Sequence, residues 1–245
     1  MTTELLVRPT AATANPTPTP TTTTTPTPPR VDLYAAIHKA LRLAMSDTLV
    51  RTGCFDVRDD AARAEAMAQV HMLCAMCRAH VAKENTYVHP AIEARRPGGS
   101  GRIAGEHEEH LVAIDALEAA ADAVEAEPTQ AMAHRLYRQL AGFVAENYEH
   151  MDVEESVHNT LLWTAYTDAE LLALHEHILA GIPPEEMAQV LHWMLPALSH
   201  AERLGMLADM RGKAPPPAFA ATLKLAQARL PASEWLKLAT ALDLG

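Results

Sequence analysis

The segment 132–161, MAHRLYRQLAGFVAENYEHMDVEESVHNTL, decides the fold of this chain. Its apolar residues recur at steps of three and four up to Val157, and the same stripe takes in Asn147, His150 and Glu154. Because helix residues turn by about 100° each, positions at these steps share one face. A helical core tolerates polar groups only where they have partners. The segment therefore predicts a long helix whose buried face carries a histidine and a glutamate.

Three further segments combine a helical apolar stripe with histidine or glutamate. They run from about residue 32 to 51, from 59 or 60 to about 90, and from 103 to about 127. The polar residues on these three stripes are His38, then His80 and Glu84, then His107 and His110. Four long helices with modest connections predict an all-α fold, an up-down four-helix bundle over residues 31–166.

The composition agrees with packed helices and argues against nucleic-acid or membrane partners. Of the 245 residues, 49% are hydrophobic but only 4% are aromatic, so the apolar material is aliphatic. The net charge of -11 repels phosphate backbones and anionic lipids, and no apolar run is long enough to span a bilayer. Three cysteines without a secreted spacing, and a start without a signal-peptide pattern, favour a cytoplasmic location.

Two segments flank the predicted bundle. Residues 1–30 are a Pro/Thr-rich tract, for which the missing proline amides and the small apolar area of threonine predict a disordered tail. Residues 167–245 form a predicted helical extension, because 167–170 (TDAE) and 199–202 (SHAE) are capping boxes that open helices. Its leucines leave three arrangements open: packing on the bundle, on a second copy in a homo-oligomer, or on a protein partner.

The polar residues of the stripes form pairs suited to metal binding. His80 with Glu84, and His150 with Glu154, are four apart, so each pair projects from one helix face. Imidazole nitrogen and carboxylate oxygen suit iron and similar divalent ions, and one carboxylate can bridge two of them. A single such pair is more often an exposed surface pair. Pairs on three helices together with His38 point instead to one metal centre.

This pattern resembles the hemerythrin-like family, whose HHE-type domains bind a di-iron centre in a four-helix bundle. The resemblance covers about residues 32–166 and rests on the segments 37–42 (IHKALR), 80–84 (HVAKE), 106–110 (EHEEH) and 150–154 (HMDVE). It implies two iron ions, with Glu84 and Glu154 as bridging carboxylates. The ligands that it implies are His38, His80, Glu84, His107, His150 and Glu154, and His110 is a seventh candidate.

Some positions depart from the pattern or leave alternatives open. Oxygen-carrying hemerythrins place two third-helix histidines four apart, whereas His107 and His110 are three apart, so that either one is the ligand. Glu155 competes with Glu154 as the last carboxylate. His158, four residues beyond Glu154, is expected to support the site or to lie at the surface.

The other cysteines and histidines of the second helix are expected to have structural roles. The run His71–His80 contains HxxCxxCxxH, but each step of three loses about 60°, so its ends point to opposite sides and a zinc site within one helix is excluded. Cys77, on the face of His80, is expected to be a small apolar filler. His89, beside Pro90, is expected to cap the second helix.

The implied iron pair suggests a function. A histidine-rich, carboxylate-poor pair stabilises high-valent iron less well than a carboxylate-rich one, because neutral imidazoles donate less negative charge. The leading hypothesis is a non-haem di-iron protein that binds dioxygen or a related small oxidant, such as peroxide or nitric oxide, for carriage, sensing or detoxification. A di-iron oxidase, oxygenase or peroxide-consuming enzyme is the first alternative. The second is a regulatory module that signals iron or oxygen state through the C-terminal helices.

Overall fold

The fold is helical throughout residues 30–244, the part of the chain that the structure, a computed structural model, describes. No strand occurs among these residues, which confirms the all-α prediction. Within the same range no helix is both long and apolar enough to cross a membrane. The predicted disordered tail, apart from its last residue, lies outside the described residues.

The chain forms α-helices joined in two places by a π-helical turn. The helices are α1 (Ala35–Cys54), α2 (Asp60–Lys83), α3 (His89–Arg95), α4 (Gly101–Ala126), α5 (Gln130–Val153), α6 (Asn159–Ala165), α7 (Asp168–Ala180), α8 (Pro184–Ala197), α9 (His200–Lys213), α10 (Pro216–Arg229) and α11 (Ala232–Ala241). The first π turn (Glu84–Val88) joins α2 to α3, and the second π turn (Glu154–His158) joins α5 to α6.

Four long helices, α1, α2, α4 and α5, form the bundle. Helix α1 packs on α2 and α5, and α4 packs on the same two helices from the other side. Two of the helix starts are capped, because the side chains of Asp59 and Thr129 accept hydrogen bonds from amides of the first turn. The aliphatic core between the helices includes Leu41, Met45, Met67, Val70, Leu73, Ile114, Leu117, Ala121, Leu136 and Leu140.

The predicted helix faces agree with the structure wherever the helix is regular. Every position predicted on the stripe of the third helix is buried in α4: Ile103, His107, His110, Ile114, Leu117 and Ala121. Helix α1 begins at Ala35 instead of Asp32, because the Asp32 carboxylate accepts hydrogen bonds from the amides of Tyr34 and Ala35. Asp32 is therefore a cap ahead of the helix and not its first residue.

Both helices that carry a His-x3-Glu pair continue through a π turn that begins at the glutamate. In each turn the first amide beyond it donates to the carbonyl oxygen of that glutamate. The wider turn shifts the helical register by one residue. Val157, predicted on the inner stripe, is therefore 50% exposed, and the neighbouring His158 is buried. Such π turns are rare and occur mostly at functional sites.

The C-terminal helices pack on the bundle, the first of the three arrangements left open by the sequence. Helix α8 lies along α1, and its Trp193 joins the aliphatic core. The opposite face of α8 contributes Leu191 and Leu195 to a second apolar cluster with α9, α10 and α11. Both predicted capping boxes are present, Thr167–Glu170 at α7 and Ser199–Glu202 at α9.

Candidate metal centre

The polar residues of the four stripes meet in one layer of the bundle, which we call the polar layer. On one side of it lies the aliphatic core, and on the other lies a small apolar cluster that includes Tyr34, Ile92 and Leu162. His80 is partly buried and the other predicted ligands are buried. The side chains that enter the layer are His38, His80, Glu84, His107, His110, His150 and Glu154.

Two groups of candidate ligand atoms form in the polar layer, and they share both glutamates. Within each group the ligand atoms lie within 4.8 Å of one another. The first group contains His38 and His80, the second contains His107 and His150, and both contain Glu84 and Glu154. Six of the seven predicted ligands are thus brought together as two adjoining sites.

Each glutamate turns one oxygen toward each group. Oε1 of Glu84 lies 3.3 Å from Nε2 of His80, and Oε2 lies 3.3 Å from Nε2 of His107. Oε2 of Glu154 lies 3.4 Å from Nε2 of His38, and Oε1 lies 3.7 Å from Nε2 of His107. A carboxylate with one oxygen on each side is placed to bridge two cations.

Most of the ligand atoms lack a hydrogen-bond partner within the described part of the chain; the exceptions are Nε2 of His107 and Nε2 of His150, which lie 3.1 Å from each other. Both oxygens of Glu84 and of Glu154, and Nε2 of His38 and of His80, are buried without a partner. Buried polar atoms are otherwise almost always paired, and burying an uncompensated charge is strongly unfavourable. Two divalent cations would satisfy these atoms, so the residues present fit the cation centre that the motif predicts.

Three histidines of these groups are held from behind through Nδ1. Such outer contacts fix the ring orientation and leave Nε2 for a cation. The contacts are His38 Nδ1 to Glu155 at 2.9 Å, His107 Nδ1 to Asn85 at 2.8 Å and His150 Nδ1 to Glu106 at 2.8 Å. Glu155 also accepts a hydrogen bond from Arg42. Of the two competing carboxylates, Glu154 faces the ligand groups and Glu155 lies behind a histidine.

In the cation-free polar layer, protons on imidazoles balance the carboxylates. Burial alone would lower the pKa of His38 and of His107, but their contacts with carboxylates raise both pKa values to about 9. Burial alone would raise the pKa of Glu84 and of Glu154, but the surrounding histidines hold both pKa values below their usual range. Cation binding must therefore displace protons from histidine.

His110 is buried in the polar layer but belongs to neither group. The centroid of its ring lies 4.5 Å from that of His150 and 6.2 Å from that of Phe143. Burial lowers the pKa of His110 to about 4, so the ring is neutral at ordinary pH. Of the two third-helix histidines, His107 is the one whose ring nitrogen lies among the candidate ligand atoms.

Two further histidines approach the centre: His158, which its spacing from Glu154 offered as a supporting residue, and His89, which was expected only as a cap. His89 does not cap the second helix, because the π turn continues that helix. The ring of His89 is buried and stacks on the ring of His107, with the two ring centroids 4.9 Å apart. His158 is also buried, and its Nδ1 lies 3.2 Å from the hydroxyl oxygen of Tyr34. Together with Glu154 they form a third group of ligand atoms within 4.8 Å of one another.

The cysteines lie outside the ligand groups found among residues 30–244. Cys77 is part of the aliphatic core, and burial raises the pKa of its thiol. His71 lies 3.2 Å from Asp122 on a partly exposed face, whereas His80 belongs to the polar layer. The two ends of the HxxCxxCxxH run therefore point to different surroundings.

Comparison with known proteins agrees with this geometry. The family model described as hemerythrin HHE cation binding domain matches residues 30–162, which is more than half of the chain. No curated protein and no solved structure gives a significant match. The matched range includes every residue of the three ligand groups in the polar layer. The chain therefore belongs to the hemerythrin HHE cation-binding family.

Proposed function

We propose that this protein holds two iron ions and binds dioxygen or a related small oxidant, such as peroxide or nitric oxide. The observation that carries the proposal is the pair of buried glutamates, each with one oxygen toward either histidine pair and none of these oxygens hydrogen-bonded within the described residues. Iron accepts such a mixed set of imidazole and carboxylate ligands. When bound, the two ions supply electrons and open coordination positions for a small oxidant.

In this proposal six side chains hold the ions. Glu84 and Glu154 would be shared by the two ions, and two histidines of either group would complete the set that holds each ion. His110 is left outside the ligand set, as a neutral side chain between the second histidine pair and Phe143. The first ion is assigned to His38 and His80, and the second to His107 and His150.

The surrounding residues restrict what reaches the pair. The aliphatic core and the small apolar cluster lie on the two sides of the polar layer, so a bulky polar substrate has no place beside it. A small, weakly polar molecule can enter such surroundings at low desolvation cost. This supports a small oxidant as the ligand and disfavours a large organic substrate.

Iron content tests the ligand assignment. Purified protein loaded with ferrous iron under anaerobic conditions is expected to hold two ions per chain. His80→Ala and His150→Ala each remove one ligand from a different ion, so both are expected to lower the iron content. His71→Ala, on the same helix as His80 but outside the polar layer, is the matched control and is expected to keep two ions. Unchanged iron content in His80→Ala and His150→Ala would overturn the assignment.

Ligand binding separates carriage or sensing from catalysis. Iron-loaded protein is expected to develop a visible charge-transfer absorption on exposure to dioxygen and to shift it on addition of azide. Reversal of the spectrum under argon would support a carrier or sensor. Rapid, repeated consumption of peroxide would instead support the enzymatic alternative.

A second candidate function, signalling through the C-terminal helices, is supported by three contacts that start beside ligand residues. Each joins a residue adjacent to a ligand, or within the first π turn, to the C-terminal extension. They are Lys39 with Glu202, Lys83 with Glu186, and the ring of Tyr87 with that of His177. A cation-dependent shift of the polar layer would reach α7, α8 and α9 through these contacts.

Hydrogen exchange tests this second candidate. Amides of α7 and α9 are expected to exchange more slowly in cation-loaded than in cation-free protein. In Tyr87→Ala, which removes the contact with His177, that difference is expected to shrink in α7. Equal exchange of these helices in both states of the wild-type protein would contradict signalling.

A further inference from the structure

We propose that His89, His158 and Glu154 form a third cation position beside the iron pair. It lies on the side of the polar layer that faces Tyr34, and neither His89 nor His158 belongs to the two ligand groups of the proposed iron pair. The proposal depends on the proposed iron pair only through the shared Glu154. It requires neither iron nor an oxidant to occupy the pair.

The first support is burial without a partner. His89, His158 and Glu154 are 6%, 1% and 0% exposed, so none of them reaches bulk water. Nε2 of His89 is buried and has no hydrogen-bond partner among residues 30–244. Buried side-chain nitrogens are seldom left in this state without a ligand or an ordered water.

The second support is the orientation of His158. The hydroxyl of Tyr34 lies 3.2 Å from Nδ1 of this ring, which leaves the other ring nitrogen for a cation. The same arrangement holds His38, His107 and His150, whose Nδ1 atoms contact a side-chain oxygen. Ligand histidines are typically fixed by such a contact at the second nitrogen.

The third support is the local backbone. His89 is the first residue beyond the first π turn, and His158 is the last residue of the second π turn. The wider turn rotates the residues beyond each glutamate toward the centre. Both π turns thus contribute a histidine to the same small volume, where the two rings stand edge to face with centroids 5.6 Å apart.

The chemistry of the three residues limits the cation. His89 offers a buried Nε2 without a partner, and His158 offers the ring nitrogen that does not contact Tyr34. Two neutral imidazoles and one carboxylate suit Zn²⁺, Co²⁺ or Fe²⁺ and are a poor set for Mg²⁺ or Ca²⁺. Because Glu154 also serves the pair, the third ion is expected to bind last and to leave first.

Zinc titration with crystallography tests the third position. All variants are made in a His71→Ala background, which removes the exposed group of His71, Asp122 and Glu125 as a competing site. The protein with no further change is expected to bind three Zn²⁺ per chain at high free zinc and to retain two after dialysis. Zinc anomalous scattering is expected to place the third ion between His89 and His158.

Two variants decide the outcome. The double variant His89→Leu with His158→Leu is expected to stop at two Zn²⁺ and to keep the pair. His110→Leu, which removes a buried histidine outside all three groups, is the control and is expected to bind three. Saturation at two ions in the His71→Ala protein, or three ions in the double variant, overturns the third position. If zinc is found between His89 and His158 but the protein fails to hold two iron ions in the iron-loading test, the proposed function is refuted and the third position stands.

Discussion

The two halves of the bundle use the same four helices but bury their stripes in different ways. In the half around Leu117 and Leu136, aliphatic side chains pack on one another. Among the described residues of this half, the Thr52 hydroxyl is the one buried side-chain polar atom without a hydrogen-bond partner. In the half around Glu84 and Glu154, carboxylate oxygens and ring nitrogens are buried without partners. The aliphatic half is stable through apolar burial, whereas in the polar half the buried carboxylates are balanced either by protons on histidine or by bound cations. Substitutions should therefore separate stability from cation binding.

The largest effect is expected from removal of one bridging carboxylate. Glu154→Gln removes a charge that both ligand groups share, so we expect loss of both cations and not of one. Glu155→Gln, the matched control, removes only the carboxylate behind His38, and we expect two cations to remain with an affinity lowered by about 10–100-fold. Metal analysis after dialysis and titration calorimetry measure these two quantities.

The pair of variants also distinguishes the two adjacent carboxylates. Loss of both cations from Glu155→Gln, with none lost from Glu154→Gln, would exchange their assignments. Loss of a single cation from Glu154→Gln would mean that this carboxylate serves one ion and that the polar half contains two independent sites.

The next largest effect is expected in the aliphatic half. Leu136 is fully buried, and Leu136→Ala is expected to lower the free energy of unfolding by about 2–5 kcal/mol because it leaves a cavity. The number of bound cations should not change. Val112→Ala, at a residue 69% exposed on α4, should change the free energy of unfolding by less than about 0.5 kcal/mol. Urea unfolding measures both, and a cation deficit in folded Leu136→Ala would break the separation of the halves.

Removal of the cations is expected to affect the polar half selectively. A cation present at 100 times its dissociation constant stabilises the folded state by about 2.7 kcal/mol per site, and a chelator removes that contribution. Amides of both π turns should then exchange faster with solvent, whereas amides near Leu117 should keep their relative protection. Uniform loss of protection along α4 would show instead that the two halves unfold as one unit.

The pH dependence of cation affinity gives a smaller effect of defined sign. The pKa values of His38 and His107 are raised to about 9 in the cation-free layer, so both are protonated at neutral pH and must lose a proton when a cation binds. Affinity should therefore rise between pH 6 and 9, by about tenfold per pH unit for each proton displaced, and level off above pH 9.

His110 provides the control for this profile. Its pKa is lowered to about 4, so it is neutral throughout the same pH range, and His110→Leu should keep the slope. The stability of the cation-free protein should fall as pH rises, whereas the cation affinity should increase. Protonated His38 and His107 stabilise it fully below about pH 6.5, and this contribution is lost as pH rises through 9. A flat affinity profile would contradict proton displacement.

The regular helices account for what the sequence predicts well. In α4 the period of 3.6 residues is kept from end to end, so the buried face follows from spacing alone. Each His-x3-Glu pair ends at the glutamate with which a π turn begins, so its two side chains still keep the regular register. The convergence of His80, Glu84, His150 and Glu154 on one layer was therefore accessible from the sequence.

The π turns explain what the sequence did not predict. Each π turn is wider than an α-helical turn, and beyond the second one a periodicity of 3.6 residues assigns later positions to the wrong face. Val157 was expected inside and lies outside, and His89 was expected as a cap and lies against His107. Pro90 was a usable signal in one helix, because a proline within a helix often marks a local irregularity. The second π turn, at Glu154, has no comparable marker.

The smallest effect is expected where the C-terminal extension contacts the polar half through an exposed ion pair. Lys39 lies next to His38 and pairs with Glu202 of α9 at 2.5 Å, but both side chains are 40% exposed. Exposed pairs contribute about 0.2–1 kcal/mol, so a double-mutant cycle with Lys39→Ala and Glu202→Ala should give a coupling energy in this range. Glu202 also closes the capping box with Ser199, so Glu202→Ala alone should cost more than Lys39→Ala. If loading with cations increases the coupling energy in the cycle, the two regions communicate through this pair. An unchanged coupling energy would show that cation binding does not act on the contact between the bundle and α9.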